Sequence, residues 1–467
     1  MPQNFADNPS SHFQNSAHAA HHLPRVEVEP LQFHALQARF AALRHQLPPL
    51  TALADAQSIS DIPTLDAAAQ LLFPHGFYKS YPERLLEEQN FAAMTRWLSR
   101  LTAHDLSPVM DRGFAGLDDW LDALDNETPL TLYHSSGTTG RMSFHPRGTA
   151  EEAVVRDTVG MTIADNFPAG QFTPGEWNYA LFWPAHAFGR TAALRIAKML
   201  VDLLCADVSD FHPLLPTVLS ADYHYHVLRS RNMRAQGFAF DPVASDYVRG
   251  RIAEAEALQL YVPDRLQEFA DIIAALGEEK RVMIAGGPAN IHSILSAGLA
   301  RGASHPALPG SIYYSFGGYK DAAVIDTLDA DAARYLPGIL HCEAYGMTEI
   351  SGTTNKCAGG RFHVPPWIIP YVLDPVSGQL LPREGVQRGR AAFMDLLPQS
   401  HWGGVISSDA VELSWQPCAC GRNSPHIAPG IERIADRADM ENHIGPAKAS
   451  AIDAALEALR EGLPVSN

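Results

Sequence analysis

The chain has 467 residues, 46% of them hydrophobic and 19% charged, with a formal net charge of -17 at pH 7. That length gives a large core and more than one small domain, and the composition is that of an ordinary globular protein. The acidic balance argues against a nucleic-acid-binding surface. No run of about 18 apolar residues marks a membrane span, and no basic start followed by an apolar stretch marks a signal peptide. Five cysteines, an odd number, do not make a disulfide framework, so a reducing cytoplasm is the expected compartment.

Residues 1–28 are rich in Asn, Ser, His and Ala and read as a disordered tail. His12, His18, His21 and His22 lack ordered metal-ligand spacing, so they belong to that tail. From Leu31 onward, Leu31, Phe33, Leu36, Phe40 and Leu43 recur with helical period. Further helices are expected over 64–72, stopped by Pro74, over 83–101, and over 117–124. Lys79, in the loop before the second of these, reads as a surface residue that has a minor chance of lining a substrate entrance.

An apolar run then leads into Ser135-Ser136-Gly137-Thr138-Thr139-Gly140-Arg141. The glycines permit tight turns and close approach of a ligand. Hydroxyls and exposed N–H groups would form a concave nest for an anion such as phosphate. The spacing is not that of a Walker A loop. Beyond a helix over 153–163, apolar strands over 179–183, 281–285, 311–316 and 339–345 alternate with helices, which predicts an α/β architecture. In such sheets ligands bind beyond the carboxyl ends of the strands. Those ends carry His186, Gly286-Gly287, Gly318 with Lys320, and Tyr345-Gly346-Met347-Thr348-Glu349. From His363 prolines, short strands and turns indicate a small β subdomain, and a helix over 447–459 ends the chain. The expected division is a tail over 1–28, an α/β core over 29–362, a β subdomain over 363–435, and a hinge remnant with the terminal helix over 436–467.

The SSGTTG order and the Y-G-x-T-E stretch, in that sequence, resemble the adenylate-forming superfamily of acyl-CoA synthetases, peptide-synthetase adenylation domains and beetle luciferases. The resemblance implies an adenylation core in which Ser135 to Gly140 hold phosphates, Tyr345 packs on adenine, Thr348 approaches the phosphates and Glu349 helps hold Mg²⁺. These roles suit an aromatic face and a hard carboxylate oxygen. Gly286-Gly287 resembles the adenine-side glycine turn, and Asp409 the aspartate that bonds the ribose. His186 either lines the acyl or aryl pocket or is a packed histidine. Phe316-Gly317-Gly318-Tyr319-Lys320 and His363-Val364-Pro365-Pro366-Trp367-Ile368 look like the acyl-protein synthetases of bacterial bioluminescence, with Gly318 then near the substrate. Cys418-Ala419-Cys420-Gly421-Arg422 instead resembles phenylacetate-CoA ligases.

Most members of the superfamily carry a C-terminal lid with a lysine that stabilises the adenylating carboxylate. Residues 435–440 resemble the hinge to that lid, and 27 residues follow Met440. The lid is therefore expected to be largely absent, as in acyl-protein synthetases. Lys320 is the candidate substitute cation, because charge developing at the α-phosphate needs a fixed positive group. The cysteines leave three readings open. Cys357, His363, Cys418 and Cys420 have the ligand set of a closed tetrahedral Zn²⁺ site. Alternatively Cys418 or Cys420 carries an acyl group, which needs an accessible thiolate, or they are unligated. Cys342 and Cys205 read as buried.

Two functions follow. The first is an ATP- and Mg²⁺-dependent ligase that activates a fatty or aromatic acid as acyl-adenylate and passes it to CoA, a protein cysteine, an acyl carrier or an amine, with an acyl reductase as a further partner. The second is a nucleotide-binding partner or regulator without turnover. A homodimer is the commonest oligomeric default.

Overall fold

The computed structural model describes residues 2–135, 141–167, 178–235, 237, 246–276, 279–302, 304–318, 326–434 and 446–464. Ser136 to Gly140, Lys320 and the expected hinge lie outside the described residues. The chain forms two compact units. Unit 1 comprises 1–137, 141–161 and 348–467, and unit 2 comprises 138–140 and 162–347. The units change at 347/348, so Tyr345 and Glu349, four residues apart, belong to different units.

Unit 2 is built on five parallel strands, in the order Phe211–Val218, Tyr179–Phe188, Arg281–Gly286, Ile312–Phe316 and Leu340–Tyr345. Val282 to Ala285 are fully buried, as a strand covered on both faces requires. Helix Pro288–Ala300 lies close to helix Leu328–Tyr335, and a Cβ on Gly298 would stand 2.3 Å from the Tyr335 ring. In chain order the strands run second, first, third, fourth, fifth. The switch point therefore lies between Tyr179–Phe188 and Arg281–Gly286, where doubly wound sheets bind ligands.

Unit 1 holds an antiparallel sheet in the order Phe362–His363, His426–Ile427, Gly404–Ser414, Val386–Asp395 and Ile368–Leu373, with Phe73–Pro74 and Glu432–Arg433 added to Gly404–Ser414. Pro370 sits on the outermost long strand, where a missing N–H is tolerated. Strands Leu130–His134 and Phe144–Gly148, on either side of the hydroxyl-rich segment in sequence, pair as an antiparallel hairpin. Helix Pro446–Arg460 packs on helix Pro48–Ala56.

Three local expectations are corrected. Residues 2–22 are not a disordered tail; they form short helices α1 (Pro2–Asp7), α2 (Pro9–His12) and α3 (Ala17–His22), ahead of α4 (Arg25–Leu43). Phe5, Phe13 and Ala20 are buried, and Arg39 donates to the Ala6 carbonyl at 2.6 Å. Those few apolar contacts, invisible to composition, order the arm. The helix expected over 64–72 is only a 3₁₀ turn at Ala67–Leu71. The helix over 83–101 is broken into Arg84–Glu87 and Phe91–Leu98, because Gln89 adopts φ 55° and Asn90 caps the second piece by accepting from the Ala93 N–H at 3.1 Å.

Candidate active site and metal knuckle

In unit 2 the candidate residues gather at the carboxyl ends of the strands. A Cβ on Gly286 would meet the Pro184 ring at 2.8 Å, so this ring lies against the Gly286 backbone as only glycine allows. Gly287 precedes helix Pro288–Ala300 as its N-cap and faces open space. Trp183 stacks on Phe316 at 5.8 Å between centroids, giving this end an aromatic wall. Gly318 is exposed with φ +62°, and Tyr345 closes the last strand half-buried. His186 is not on a loop, since its strand runs on to Phe188. It is buried and shares a hydrogen bond of 3.1 Å with Thr217 Oγ1, and burial with nearby His224 lowers its pKa.

In unit 1 Ser135 is held by the facing hairpin strand. Its N–H donates to the Ser143 carbonyl and its Oγ accepts from the Ser143 N–H, both at 3.0 Å. Glu349 is half-buried, and its carboxyl has Asp409, Lys79 and Arg147 as charged neighbours. Burial first, and then the Asp409 charge, raise its pKa against the opposing pull of its own backbone N–H, Lys79 and Arg147. Asp409 lies where the pairing of Gly404–Ser414 with Val386–Asp395 is irregular, between Arg390 and Ala392, and such bulges re-aim side chains. Its N–H donates to Ser407 Oγ at 3.0 Å.

Sequence reasoning missed the residues that hold this group. Arg147, 2% exposed on the second hairpin strand, donates to the Thr348 carbonyl at 2.8 Å and to the Ser351 hydroxyl, while its guanidinium lies 5.1 Å from the Tyr133 ring centroid. Asp395 accepts from the Ser351 N–H at 2.5 Å and the Leu397 N–H at 2.9 Å. Thr348 and Ser351, on either side of Glu349, are thus clamped from two directions. An arginine in an entirely buried strand was the available signal, since such a charge needs partners. Lys79, read as a surface residue, is half-buried; burial lowers its pKa and Glu349 opposes that shift. Lys448 is no candidate for the lid lysine's role. Its ammonium donates to the Ala69 carbonyl at 2.7 Å, and burial beside Arg390 brings its pKa down to about 8.

The four predicted metal ligands do meet. One ligand atom each from Cys357, His363, Cys418 and Cys420 lie within 4.8 Å of one another. Cys357 and Cys418 sulfurs are 4.0 Å apart, and Cys420 Sγ is 3.3 Å from His363 Nε2. Ligands at zinc distances on a tetrahedron stand about 3.8 Å apart for S–S and about 3.5 Å for S–N. Two like turns present the thiols. The Cys357 and Cys418 N–H groups donate to the Arg361 and Arg422 carbonyls at 2.8 and 2.9 Å, and Gly360 and Gly421 return N–H bonds at 2.8 and 2.9 Å. Both glycines have positive φ, +72° and +90°. Burial opposes ionisation of Cys357, but the Arg361 and Gly359 N–H groups and the neighbouring thiols outweigh it and lower its pKa. Burial, Cys418 and Cys357 push Cys420 up to about 11. Three thiols this close ionise together only around a cation. The other two, Cys205 and Cys342, are each pushed up to about 12, chiefly by burial.

Among solved structures the chain is similar to 2-hydroxyisobutyryl-CoA ligase. An open conformation of that enzyme, in complex with 2-HIB-AMP and CoA, aligns with 14% identity and a TM-score of 0.52, over 92% of this chain and 80% of that one. Its postadenylation state with 2-HIB-AMP gives 14% and 0.53, over 92% and 73%. The chain therefore shares its fold with 2-hydroxyisobutyryl-CoA ligase. No protein-family model matches it, and no curated protein does. Unit 2 carries the glycine and aromatic strand ends; unit 1 carries the carboxylates, their cations and the thiol knuckle. No helix among the described residues is long and apolar enough to cross a membrane.

Proposed function

We propose that the protein activates a carboxylic acid with MgATP, releasing pyrophosphate and forming an acyl-adenylate, and then passes the acyl group to an external thiol, with CoA first in line. The observation that carries this reading is Glu349, on a loop clamped at Thr348 and Ser351, with Asp409 as a charged neighbour, at the motif positions of an adenylating ligase. The hard Glu349 carboxylate, with its raised pKa, fits a divalent cation that returns the proton to solvent. Mg²⁺, when bound, neutralises phosphate charge during in-line displacement. The chain's own residues do the positioning. Arg147 and Asp395 fix the loop that carries Thr348 and Glu349. Ser135 to Gly140 take the phosphates, Asp409 the ribose, and Tyr345 with Gly286-Gly287 the adenine.

Lys79 is our first candidate for the positive charge that the adenylating carboxylate needs, with Lys320 second. An acyl group on Cys205 or Cys342 is disfavoured, since burial keeps both thiols protonated. Cys357, Cys418 and Cys420 serve a structural Zn²⁺ with His363, which removes them as carriers. The wall formed by Trp183 and Phe316, with His186, supports an acyl or aryl pocket at the same strand ends.

The test is pyrophosphate release with MgATP across short hydroxy, fatty and aromatic acids, for wild type and Glu349→Gln, with intact-mass analysis of the product. Acid-dependent release that the substitution abolishes supports adenylation. An acyl adduct on the protein moves the acceptor back to a cysteine. ATP binding without release for any acid favours a nucleotide-binding partner instead.

A further inference from the structure

The knuckle is also where the N-terminal arm is held. Helix α3 ends against Asn423 and Ser424, the two residues that follow the second thiol turn. The His21 carbonyl accepts from the Asn423 and Ser424 N–H groups at 2.9 and 3.2 Å, and the Asn423 side-chain amide donates to the His22 carbonyl at 2.6 Å. These bonds satisfy carbonyls that a helix end leaves without partners. A six-residue helix does not stand by itself, so α3 depends on this dock.

A side-chain chain links the dock to the metal ligands. Ser424 Oγ lies 2.9 Å from His363 Nδ1 and 2.9 Å from His21 Nδ1. With His363 Nε2 given to a metal, its Nδ1 must carry the proton and donate to Ser424 Oγ. The Ser424 hydroxyl then donates onward to His21 Nδ1. His21 is buried, which suits a neutral acceptor.

We infer that His21 and Ser424 are the outer partners of the Cys357/His363/Cys418/Cys420 metal site, so that metal binding and docking of α3 strengthen each other. This inference rests on the zinc reading of the knuckle and is independent of the adenylation chemistry. Coupling of this kind is reciprocal. Loss of the metal loosens α3, and loss of the His21 or Ser424 link weakens the metal. Helix α1 packs on α4 and serves as the internal reference.

The experiment uses the full chain loaded with zinc. Hydrogen exchange is followed in peptides covering 16–24 and 2–7, before and after chelation, and zinc affinity is measured by competition for wild type, His21→Leu and Ser424→Ala. The expected result is faster exchange at 16–24 on chelation with little change at 2–7, and zinc affinity about 10- to 100-fold weaker in both variants. Unchanged exchange at 16–24, equal loss of protection along the whole chain, or wild-type zinc affinity in Ser424→Ala overturns the coupling. Failure of the wild-type protein to bind zinc overturns the metal premise instead, a separate result.

Discussion

Glu151 and Glu349 are glutamates of the same unit, the first buried and the second half-buried, and their surroundings differ in kind. Glu151 accepts from the Gln399 and Ser400 N–H groups at 2.6 Å each, from the Ser400 hydroxyl at 2.8 Å and from the Gly148 N–H at 3.0 Å, with His401 at 3.7 Å. Burial works against its charge, but His401 and those donors outweigh burial and lower its pKa. Around Glu349 the balance runs the other way, and burial with Asp409 wins. A carboxylate whose lone pairs are filled by protein is a structural part. One whose pKa is raised by burial and a neighbouring carboxylate is the one we propose for a cation.

The contrast can be broken by substitution. The largest effect is expected for Glu349→Gln, with pyrophosphate release falling about 10²- to 10³-fold while the fold persists, read by single-turnover assay and circular dichroism. Arg147→Met frees the Thr348 and Ser351 contacts and should cost about a hundredfold in the same assay, because small misplacements of a reacting group are that expensive. Arg147→Lys, which keeps the charge but not the fork, should recover only part of the loss. Glu151→Gln strips charge-assisted bonds and should lower unfolding free energy by about 2 kcal/mol in urea titrations, with activity following stability. Asp409→Asn should raise the KM for ATP about tenfold and leave the acid's KM alone.

The smallest effect sharpens the comparison, because the two glutamates should give pH slopes of opposite sign. A depressed folded pKa gives stability that is present above the unfolded carboxyl value and lost as pH falls through the folded value, which is the Glu151 case. A raised folded pKa gives stability that is present below the unfolded value and lost as pH rises through the folded value, which is the Glu349 case. Without nucleotide or Mg²⁺, Glu349→Gln should therefore melt above wild type at pH 8, with the gap closing as pH drops toward 4. Glu151→Gln should melt below wild type at pH 8, with its gap also closing in acid. A Glu349→Gln protein that melts below wild type at pH 8 would place Glu349 with Glu151 as a structural carboxylate.

The strands ending at Gly286, Phe316 and Tyr345 were legible in the sequence because each is a short apolar run that stops at glycine. The first strand was legible too, but not its continuation through Pro184 to Phe188, because proline argues against a ladder that the neighbouring strand nonetheless completes on its other side. The arm over 2–22 was misread because its composition is polar, whereas its order depends on a few buried rings and on donors from distant segments.

The sequence by itself determined the motifs whose members are neighbours along the chain: the hydroxyl-rich loop, Tyr345 to Glu349, and the separate ligand pairs Cys357 with His363 and Cys418 with Cys420. Contiguous residues share one turn or strand end, so their chemistry can be read before folding. Only the tertiary structure decided the partners: Arg147 with Thr348 across 201 positions, and His21 with Ser424 across 403. Nothing local distinguishes such an arginine or histidine. Its role comes from burial, which removes water as a partner and leaves whatever polar group the fold brings within reach.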